Sequence, residues 1–578
     1  MISKTPKFDE ALDKILKDLV PHERVCLECK QKFKVEAGDI NFYRMFRVPP
    51  PTLCPKCRKI RRFGLLMRTP KFFKRPCSAP GHNENIVTIF PASSPHKVYD
   101  VNYWYSDSWE ATSYGRSYNP GRKFFEQFKE LFFNVPHLAL ERDITSINSE
   151  YSVGGRWGKN NYYFSGGFHS EDCSYGDDVR FSKFCVDCSR VWNCEFCYSC
   201  VGADRCSHCI FSIGSVQCLD SAFLYDCKNC NNCFLSSNLR NKSYFFENKQ
   251  LSKQDYQAKI AGLNLGDRVV FQDLVRRFDG VYKNALHRSL WLTNTINCVG
   301  NGLNNCKDCF WAFDGPEGQN LRFVETFGGV KDIMDSCYDA DKAEKIYEVV
   351  NGTGSSNVLF SLYIRASNGI EYSSECTNCQ NCFACVGLKN KKFHIFNKPY
   401  SENDYWPLVD EIKLRMLNDG EYGELFSLSF GLFPYQASRG QKYYPISEKE
   451  AAERGIPWYL EPESQIPAGI NLRDIQEIPS DIKNVDDSIL NDAIRCETTG
   501  RPFKIIAEEL KFYRHMNLPI PTKHPWQRIM ERALFEHPFD LFPFVCPNCG
   551  EKSLSLYDEE KQKQFKIFCE KCYLNEVV

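Results

Sequence analysis

The chain has 578 residues, and its 73 Lys and Arg balance its 73 Asp and Glu, so the net charge is zero. A neutral chain is not a general polyelectrolyte binder, and any nucleic-acid site has to be a local patch. No apolar run approaches the ~18 residues of a membrane span, which argues against a membrane protein. The unusual feature is the cysteine content, with 30 residues.

The first 25 residues are polar and amphipathic, without the apolar core of a secretory signal. We therefore expect a cytoplasmic protein. In the reducing cytosol disulfides are rare, and C-x2-C pairs usually bind metal.

Two C-x2-C pairs lie near the N-terminus with 24 residues between them: Cys26, Cys29, Cys54 and Cys57. Zinc takes four soft ligands in a tetrahedron, and two such pairs supply them. The segment after Cys54 is predicted to form a helix whose N-terminus helps to hold the thiolates of Cys54 and Cys57. This pattern predicts a first Zn2+ site in a treble-clef or zinc-ribbon-like module.

The predicted helix and the residues after it are strongly basic. The basic residues are Arg58, Lys59, Arg61, Arg62, Arg68, Lys71, Lys74 and Arg75. Such a surface suits phosphate contacts, and the interleaved Phe63, Phe72 and Phe73 could stack on bases. RNA is the favoured ligand. The alternative is that this run is a solvated helix face or contacts the acidic exterior of the central region.

In the middle of the chain the cysteines recur at intervals that are all multiples of three. They are Cys173, Cys185, Cys188, Cys194, Cys197, Cys200, Cys206, Cys209, Cys218, Cys227, Cys230 and Cys233. Unoccupied positions of the same series, such as Gly176, Val179 and Ser182, are small or apolar. One residue in three is therefore predicted to point into a narrow core, a period that fits neither long helices nor flat strands.

A longer interval is superimposed on the triplets. Cys185, Cys206 and Cys227 are 21 residues apart, which predicts stacked coils of about 21 residues. A second triplet series runs from Gly352 to Leu388. The series end in similar segments, "DCKNCNNCFLSSNLRNKSYFFENK" and "ECTNCQNCFACVGLKNKKFHIFNK". Each is followed by a predicted helix with Ser252 or Ser401 as its N-cap.

The C-terminal region contains a second complete ligand set, Cys546, Cys549, Cys569 and Cys572, with 19 residues between the pairs. This set predicts a second Zn2+ site. Together the two ends resemble copies of one two-site module.

The copies have lost different sites. A gapless alignment places Cys26 on Cys496 and Cys54 on His524, so the C-terminal copy lacks the first ligand set. For the second set, the N-terminal copy keeps Cys77 and at most His82. Whether these two residues form a partial metal site stays open.

The thiols of the central region also permit an iron–sulfur or redox interpretation. However, the triplet series continues through Ser, Val, Ala and Leu, which do not replace thiolates in a cluster. A core-filling role explains all positions, and a cluster explains only some. No P-loop, nucleophile elbow or dinucleotide-binding motif is present. We therefore predict a protein that is not an enzyme and has no evident small-molecule substrate.

Large aromatic residues occupy positions outside the triplet core: Trp192, Phe196, Tyr198, Phe211 and Phe223. They could form an interface with a protein partner. Cover by the aromatic segment 101–133 is the favoured interpretation, because large exposed apolar patches are unusual.

The predicted fold is mostly β with α, and consists of a central cysteine-rich β-solenoid in two halves, flanked by duplicated zinc-finger modules. The predicted segments are an N-terminal zinc module (1–105), a connecting helical segment (106–150), a first solenoid half with its capping helix (151–265), a second half with its capping helix (266–418), a linker (419–488) and a C-terminal zinc module (489–578).

Four segments resemble a known protein group: "NCFACVGLKNKKF", "FNKPYSENDY", "FGLFPYQASRGQKYYPISEKEAAERGIPW" and "GRPFKIIAEELKFYRHMNLPIPTKHP". The group comprises cysteine-rich zinc-ribbon and solenoid proteins common in Candidate Phyla Radiation bacteria. The resemblance covers nearly the whole chain and implies an intracellular zinc-binding protein without implying a reaction. The group favours Cys at the positions that have lost ligands here, which implies a partly demetallated member.

The predicted function is a non-enzymatic zinc-binding scaffold that binds nucleic acid through the N-terminal module and presents a solenoid surface. An assembly scaffold for protein partners, without nucleic acid, is the alternative.

Overall fold

The computed structural model describes residues 3–68, 71–461, 466, 469–537 and 539–577. The chain forms two compact units. Unit 1 contains Met1–Met67, Lys71–Leu140 and Trp291–Tyr459, and unit 2 contains Arg68–Pro70, Glu141–Leu290 and Leu460–Val578. Unit 1 therefore joins the N-terminal cysteine module to the second triplet series, and unit 2 joins the C-terminal module to the first series.

The helices are α1 (Pro6–Leu16), α2 (Ala37–Phe46), α3 (Pro55–Gly64), α4 (Val101–Tyr105), α5 (Phe124–Asn134), α6 (Lys253–Ala261), α7 (Arg268–Asn284), α8 (Glu402–Asn418), α9 (Arg439–Tyr443), α10 (Glu448–Glu453), α11 (Ala507–His515), α12 (Pro525–Ala533), α13 (Glu559–Gln564) and α14 (Glu570–Val577). Among the described residues, no helix combines the length and the apolar character needed to cross a bilayer.

The strands are β1 (His22–Val25), β2 (Lys32–Val35), β3 (Phe73–Pro76), β4 (Asn85–Thr88), β5 (Val98–Tyr99), β6 (His137–Leu138), β7 (Ser152–Val153), β8 (Phe164–Ser165), β9 (Ser207–Ile213), β10 (Leu219–Tyr225), β11 (Asn231–Ser237), β12 (Ser243–Phe246), β13 (Lys249–Gln250), β14 (Leu286–Arg288), β15 (Leu292–Thr293), β16 (Ile296–Asn304), β17 (Lys307–Pro316), β18 (Gly318–Phe327), β19 (Val330–Asp339), β20 (Glu344–Val350), β21 (Ser356–Leu362), β22 (Asn368–Glu371), β23 (Gln380–Phe383), β24 (Lys392–Ile395), β25 (Lys398–Pro399), β26 (Leu472–Arg473), β27 (Ala493–Arg495), β28 (Pro502–Phe503), β29 (Phe542–Val545), β30 (Lys552–Ser555) and β31 (Lys566–Phe568).

Each unit is built around a long ladder of parallel pairs between consecutive segments of the chain. In unit 2 this is the first ladder, residues 147–246, whose end is the five-stranded sheet β9 to β13. In unit 1 it is the second ladder, residues 292–395, in which the strands β15 to β24 pair in parallel; antiparallel β25 completes an 11-stranded sheet. The coarse fold is thus mixed α/β with parallel pairing as its main element.

The repeat of the ladders is twelve residues. Lys159 pairs with Glu171, which pairs with Lys183, and most pairs of the second ladder keep the same offset. The predicted coil of about 21 residues is therefore wrong. Both 12 and 21 are multiples of the triplet, and the register of backbone hydrogen bonds, not the recurrence of one residue type, sets the repeat. Cysteine columns do follow it, as in Cys173, Cys185, Cys197 and Cys209.

The triplet has a backbone origin. Within most of both ladders every third residue has a positive φ, as at Asp172 (54°), Tyr175 (55°) and Asp178 (55°). The residue after each bend, here Cys173, Gly176 and Val179, lies in the narrow core, so the bend lies one position before the core residue. A left-handed residue costs ~1–2 kcal/mol, and Asn and Asp tolerate it best. This explains their frequency at these positions.

Helices pack against the C-terminal end and one face of each ladder. The Ser252 and Ser401 hydroxyls accept hydrogen bonds from the amides of Asp255 and Asp404 at the starts of α6 and α8, which confirms both predicted N-caps. In unit 2, Phe271 of α7 packs against Phe211 and Phe223.

The predicted cover of those two aromatic residues has a different source. It comes from α7, not from segment 101–133. Phe124 of that segment belongs to unit 1, where it packs against Tyr372 and Phe383 of the second ladder.

Candidate metal centres and the arginine helices

The first four predicted ligands converge. The Sγ atoms of Cys26, Cys29, Cys54 and Cys57 all lie within 4.8 Å of one another. Cys26 and Cys29 follow strand β1 in the β1–β2 hairpin, and Cys54 is the N-cap of α3. The amide of Cys54 donates to Cys26 Sγ at 3.3 Å, and that of Cys57 donates to Cys54 Sγ at 3.4 Å. The hydrogen bond with the Cys57 thiol, supported by the Cys57 amide, lowers the pKa of the Cys54 thiol to about 5, which favours a thiolate.

The second set converges in the same way. Cys546, Cys549, Cys569 and Cys572 have their Sγ atoms within 4.8 Å of one another. The β29–β30 hairpin carries the first pair, and α14 begins directly after Cys569. Burial would raise the pKa of Cys546, but backbone N–H groups, led by that of Cys569, lower it to about 6.

The geometry fits a tetrahedral metal with thiolate ligands. A Zn–S bond of ~2.3 Å places sulfur atoms roughly 3.8 Å apart. The Sγ atoms of Cys29 and Cys54 are 3.8 Å apart, and those of Cys549 and Cys569 are 3.7 Å apart. Among the described residues, these are the two groups of three or more Cys, His, Asp or Glu side chains that could hold a metal ion.

The positions that lost their ligands keep the local fold. In the C-terminal copy, β27 and β28 form the hairpin around Cys496, and His524 is the N-cap of α12 in the place of Cys54. The Cys496 Sγ contacts the Thr498 hydroxyl at 3.3 Å, and His524 Nδ1 accepts from the Trp526 amide. These side chains are engaged in local hydrogen bonds.

The second site of the N-terminal copy is similar. Cys77 Sγ accepts from the Asp100 amide at 3.4 Å, as Cys546 Sγ accepts from the Cys569 amide. The His82 imidazole contacts Glu84 at 2.7 Å and packs edge-on against Tyr103. At this site, hydrogen bonds and ring packing therefore replace the contacts that a bound metal would make.

The buried thiols of the ladders point into the core and donate to backbone carbonyls. Cys200 Sγ, for example, lies 3.5 Å from the carbonyl oxygens of Tyr198 and Cys209. Burial raises the pKa of Cys200 well above its ordinary value, so this thiol is neutral. Some serines at equivalent positions make the same bond, as Ser236 Oγ does to the Phe234 carbonyl, whereas the buried Ser212 Oγ has no partner among the described residues. This geometry matches the core-filling interpretation.

The arginines predicted to contact RNA are directed into unit 1. Arg58 and Arg62 are 1% and 0% exposed. Both pair with Asp335 of β19, at 2.8 and 2.9 Å, and Arg62 also pairs with Glu325 at 3.1 Å. Burial alone would lower the pKa of Arg58, but the charge of Asp335 raises it well above its usual value. The alternative, contact with the acidic exterior of the central region, is the one that this geometry matches.

The other predicted basic residues have varied environments. Arg61 pairs with Glu348 and Glu424, Lys59 lies over two aromatic rings, and both are buried. Arg68 is buried in unit 2.

The last three lie in β3 or just before it. Lys74 is exposed, Arg75 is half-buried and donates to the carbonyls of Pro91 and Ser94, and Lys71 lies over the Tyr459 ring. Five of the eight residues are therefore inaccessible to a phosphate chain.

Unit 2 repeats the arrangement on α12. Arg528 and Arg532, which align with Arg58 and Arg62, both pair with Asp187 of the first ladder, the latter at 2.7 Å. Arg528 also contacts Glu509, 3.3 Å away, which aligns with Asp39. We refer to these two groups as the arginine–aspartate clusters.

The sequence reasoning missed the acidic partners. Asp335 and Asp187 both have left-handed backbones, with φ of 53° and 56°. The sequence did contain a signal for these partners, because each Asp directly precedes a core position of its triplet series. It was visible only after the two series had been aligned.

No protein-family model matches the chain, and no curated protein matches it.

Proposed function

We propose that this chain is a zinc-stabilised, non-catalytic scaffold that assembles protein partners on two narrow β-solenoids of twelve residues per coil. The observation that carries this proposal is the duplicated arginine–aspartate cluster. In each cluster the arginines of the basic helix form ion pairs with the ladder of the same unit. These arginines therefore stabilise the fold and are not available to a nucleic-acid ligand.

Parallel pairing of consecutive segments supports the solenoid. Two parallel strands need a crossover between them, and here only twelve residues separate partners such as Cys309 and Leu321. Four left-handed bends per repeat are consistent with a chain that completes one coil in that length. Membership in the cysteine-rich Candidate Phyla Radiation group remains part of the proposal.

The cysteine chemistry supports a metal-bound scaffold in a reducing compartment. A hairpin bearing two Cys, followed by a helix that begins at the third, is consistent with a treble-clef or ribbon finger, and four thiolates favour Zn2+. The ladder thiols are free, and all but the half-buried Cys298 are buried, which agrees with a cytoplasmic location.

A second candidate is nucleic-acid binding at a different surface. Trp157, Phe181 and Trp192 of the first ladder are 46%, 52% and 37% exposed. His169 stacks between Trp157 and Phe181, and Arg180 lies over the Trp192 ring at 5.8 Å. Exposed aromatic residues beside a guanidinium favour stacking on single-stranded bases.

Crosslinking in native lysate, with and without ribonuclease, separates the two candidates. The protein scaffold predicts crosslinks to proteins that survive ribonuclease treatment. If the crosslinks are to RNA and disappear when Trp157 and Phe181 are both changed to Ser, the scaffold proposal is wrong and the aromatic surface is the site. The Ile296→Ser variant is the control, because Ile296 is an exposed apolar residue of the second ladder.

A further inference from the structure

A cleft of about 520 Å3 lies within unit 2. Its walls come from the first ladder, from α7 and from the C-terminal module, and they include Phe211, Val275, Phe278, Pro519, Thr522 and Glu531. This volume falls within the range of ligand-binding clefts. Most of the exposed lining surface is apolar, and charged side chains such as Arg268, Glu497 and Lys523 also line the cleft.

Unit 1 contains an equivalent of each wall. His287 follows α7 and His137 follows α5, and each imidazole contacts the carbonyl oxygen of the residue five positions earlier. This shared contact aligns α7 of unit 2 with α5 of unit 1. Phe278 then corresponds to Phe128, and Val275 to Phe125. The gapless module alignment places Thr522 on Thr52 and Glu531 on Arg61.

In unit 1 this location is occupied by the chain itself, at residues 422–426, which we call the inserted segment. The Glu424 carboxylate accepts hydrogen bonds from the Thr52 amide at 2.6 Å and from the Thr52 hydroxyl at 2.7 Å, and it pairs with Arg61 at 3.0 Å. Phe426 stacks on Phe128 with ring centroids 4.9 Å apart.

The other end of the inserted segment is also held. Tyr422 packs edge-on against Phe360, the equivalent of Phe211 in the first ladder. Gly423 lies against Pro49, so close that a Cβ there would be 2.7 Å from the proline Cγ. The inserted segment is thus an aromatic residue, a glycine, an acceptor, a leucine and a second aromatic residue.

We propose that the cleft of unit 2 binds an extended peptide of a protein partner, with two aromatic side chains flanking a hydrogen-bond acceptor, in the manner of the inserted segment of unit 1. This inference rests on the proposed scaffold function and names the chemistry of its partner. The acceptor of the peptide meets Thr522, whose amide and hydroxyl donate to no residue that the structure describes.

The charge around the acceptor differs between the units. Where unit 1 has Arg61, unit 2 has Glu531, which pairs with Lys523 at 2.8 Å and accepts from Gln527 at 3.1 Å. A carboxylate beside Glu531 would face a like charge. The cleft therefore prefers a neutral acceptor, such as the amide oxygen of Gln, to the carboxylate that unit 1 holds.

Fluorescence anisotropy of two labelled peptides, added to the full-length chain, tests the proposal. The first peptide has the sequence of residues 419–429, DGEYGELFSLS. The second carries the change Glu424→Gln. We expect the second peptide to bind more tightly to the parent chain. In the Glu531→Arg variant the order should reverse, with the first peptide gaining about tenfold from one charge-assisted hydrogen bond.

Two variants locate the binding site. Val275→Glu places a charge in the apolar wall and should abolish binding, and Val269→Glu, on the exposed side of the same helix, should leave it unchanged. Thr522→Val removes only a hydroxyl donor and should weaken both peptides several-fold, which covers the case in which Val275→Glu unfolds unit 2.

Three results would overturn the inference: neither peptide binds the parent chain, Thr522→Val binds both peptides as tightly as the parent, or Glu531→Arg leaves the order unchanged. The scaffold proposal would survive each of them, because its own test is the ribonuclease resistance of crosslinks to proteins.

Discussion

Arg58 and Asp335 are 277 residues apart in sequence, yet they form an ion pair of 2.8 Å in which both side chains are buried. Asp335 accepts from Arg62 as well, so one carboxylate pairs with two guanidinium groups of α3, and Glu325 pairs with Arg62 in addition. The same relationship joins Asp187 to Arg528 and Arg532. Its repetition indicates that both modules dock on their ladders in one way, although they retain different metal sites.

Removing one charge of this cluster should strongly destabilise unit 1. Asp335→Asn leaves Arg58 and Arg62 buried with less compensation, and breaking a buried pair costs ~3–5 kcal/mol. The midpoint of urea denaturation should fall accordingly. Replacing the whole cluster, including the Glu325 that pairs with Arg62, with Arg58→Met, Arg62→Met, Glu325→Leu and Asp335→Leu together, should recover much of the loss, because apolar side chains avoid the desolvation cost.

The control is the exposed pair of Lys449 and Glu453, whose atoms are 4.0 Å apart. Lys449→Met should change the free energy of unfolding by less than ~0.5 kcal/mol. A similarly small effect of Asp335→Asn would mean that the cluster contributes little to docking.

The local features were predictable and the distant ones were not. The spacing of the metal ligands involves only a few neighbouring residues, as do the N-caps Ser252 and Ser401. Such local geometry can be predicted from the sequence. The role of Arg58 depends on Asp335 in a separate part of the chain. A basic helix has the same composition whether it faces phosphates or carboxylates, which explains why its orientation was not apparent.

The repeat length shows a related limit. The triplet is visible because the residue after each left-handed bend is small or apolar, as at Cys200, Ala203 and Leu224. The number of triplets per repeat depends on backbone hydrogen bonds between segments. These bonds form with almost any side chain, so the residue types give little information about them. Cys185 recurs both at Cys197 and at Cys206, and only the register distinguishes the two intervals.

Asp339 should make unit 1 less stable as the pH rises. Burial raises the pKa of this carboxyl to about 6, above the ~3.9 of an exposed Asp. The folded chain therefore holds a proton that the unfolded chain has released, so this stabilisation is complete below about pH 4 and is lost as the pH passes 6. Asp339→Asn should match the parent near pH 4 and exceed its stability at pH 7.5 by ~1–3 kcal/mol.

The comparison variant is Asp335→Asn, the same change on the same buried strand. It should be destabilising at pH 7.5, where Asp339→Asn is stabilising. Urea titrations of the three chains from pH 4 to 8 give both results. If Asp339→Asn is less stable than the parent at pH 7.5, the carboxylate is compensated in the fold and the expected sign is incorrect.

The ladder thiols should tolerate replacement by a side chain of similar size. Cys200→Ser keeps a donor for the same carbonyls and should cost no more than ~1 kcal/mol, whereas Cys200→Leu overpacks the core and should cost ~1–3 kcal/mol. Thermal melts provide the comparison. A visible absorption band of the purified chain that disappears in Cys200→Ser would instead identify a cluster ligand.

Metal content should depend on the terminal cysteines alone. Metal analysis of the parent should give about two zinc ions per chain, because two complete tetrahedral sets are present. Cys54→Ser and Cys546→Ser should each lose one ion and lower the stability of their own unit, since metal binding to a preformed site contributes folding free energy. Cys209→Ser, in the first ladder, is the matched control and should retain both ions.

Chelation should leave the Cys77 and Cys496 regions unaffected, because hydrogen bonds and ring packing replace the metal there. Retention of two ions by Cys54→Ser would place the first metal elsewhere in the chain.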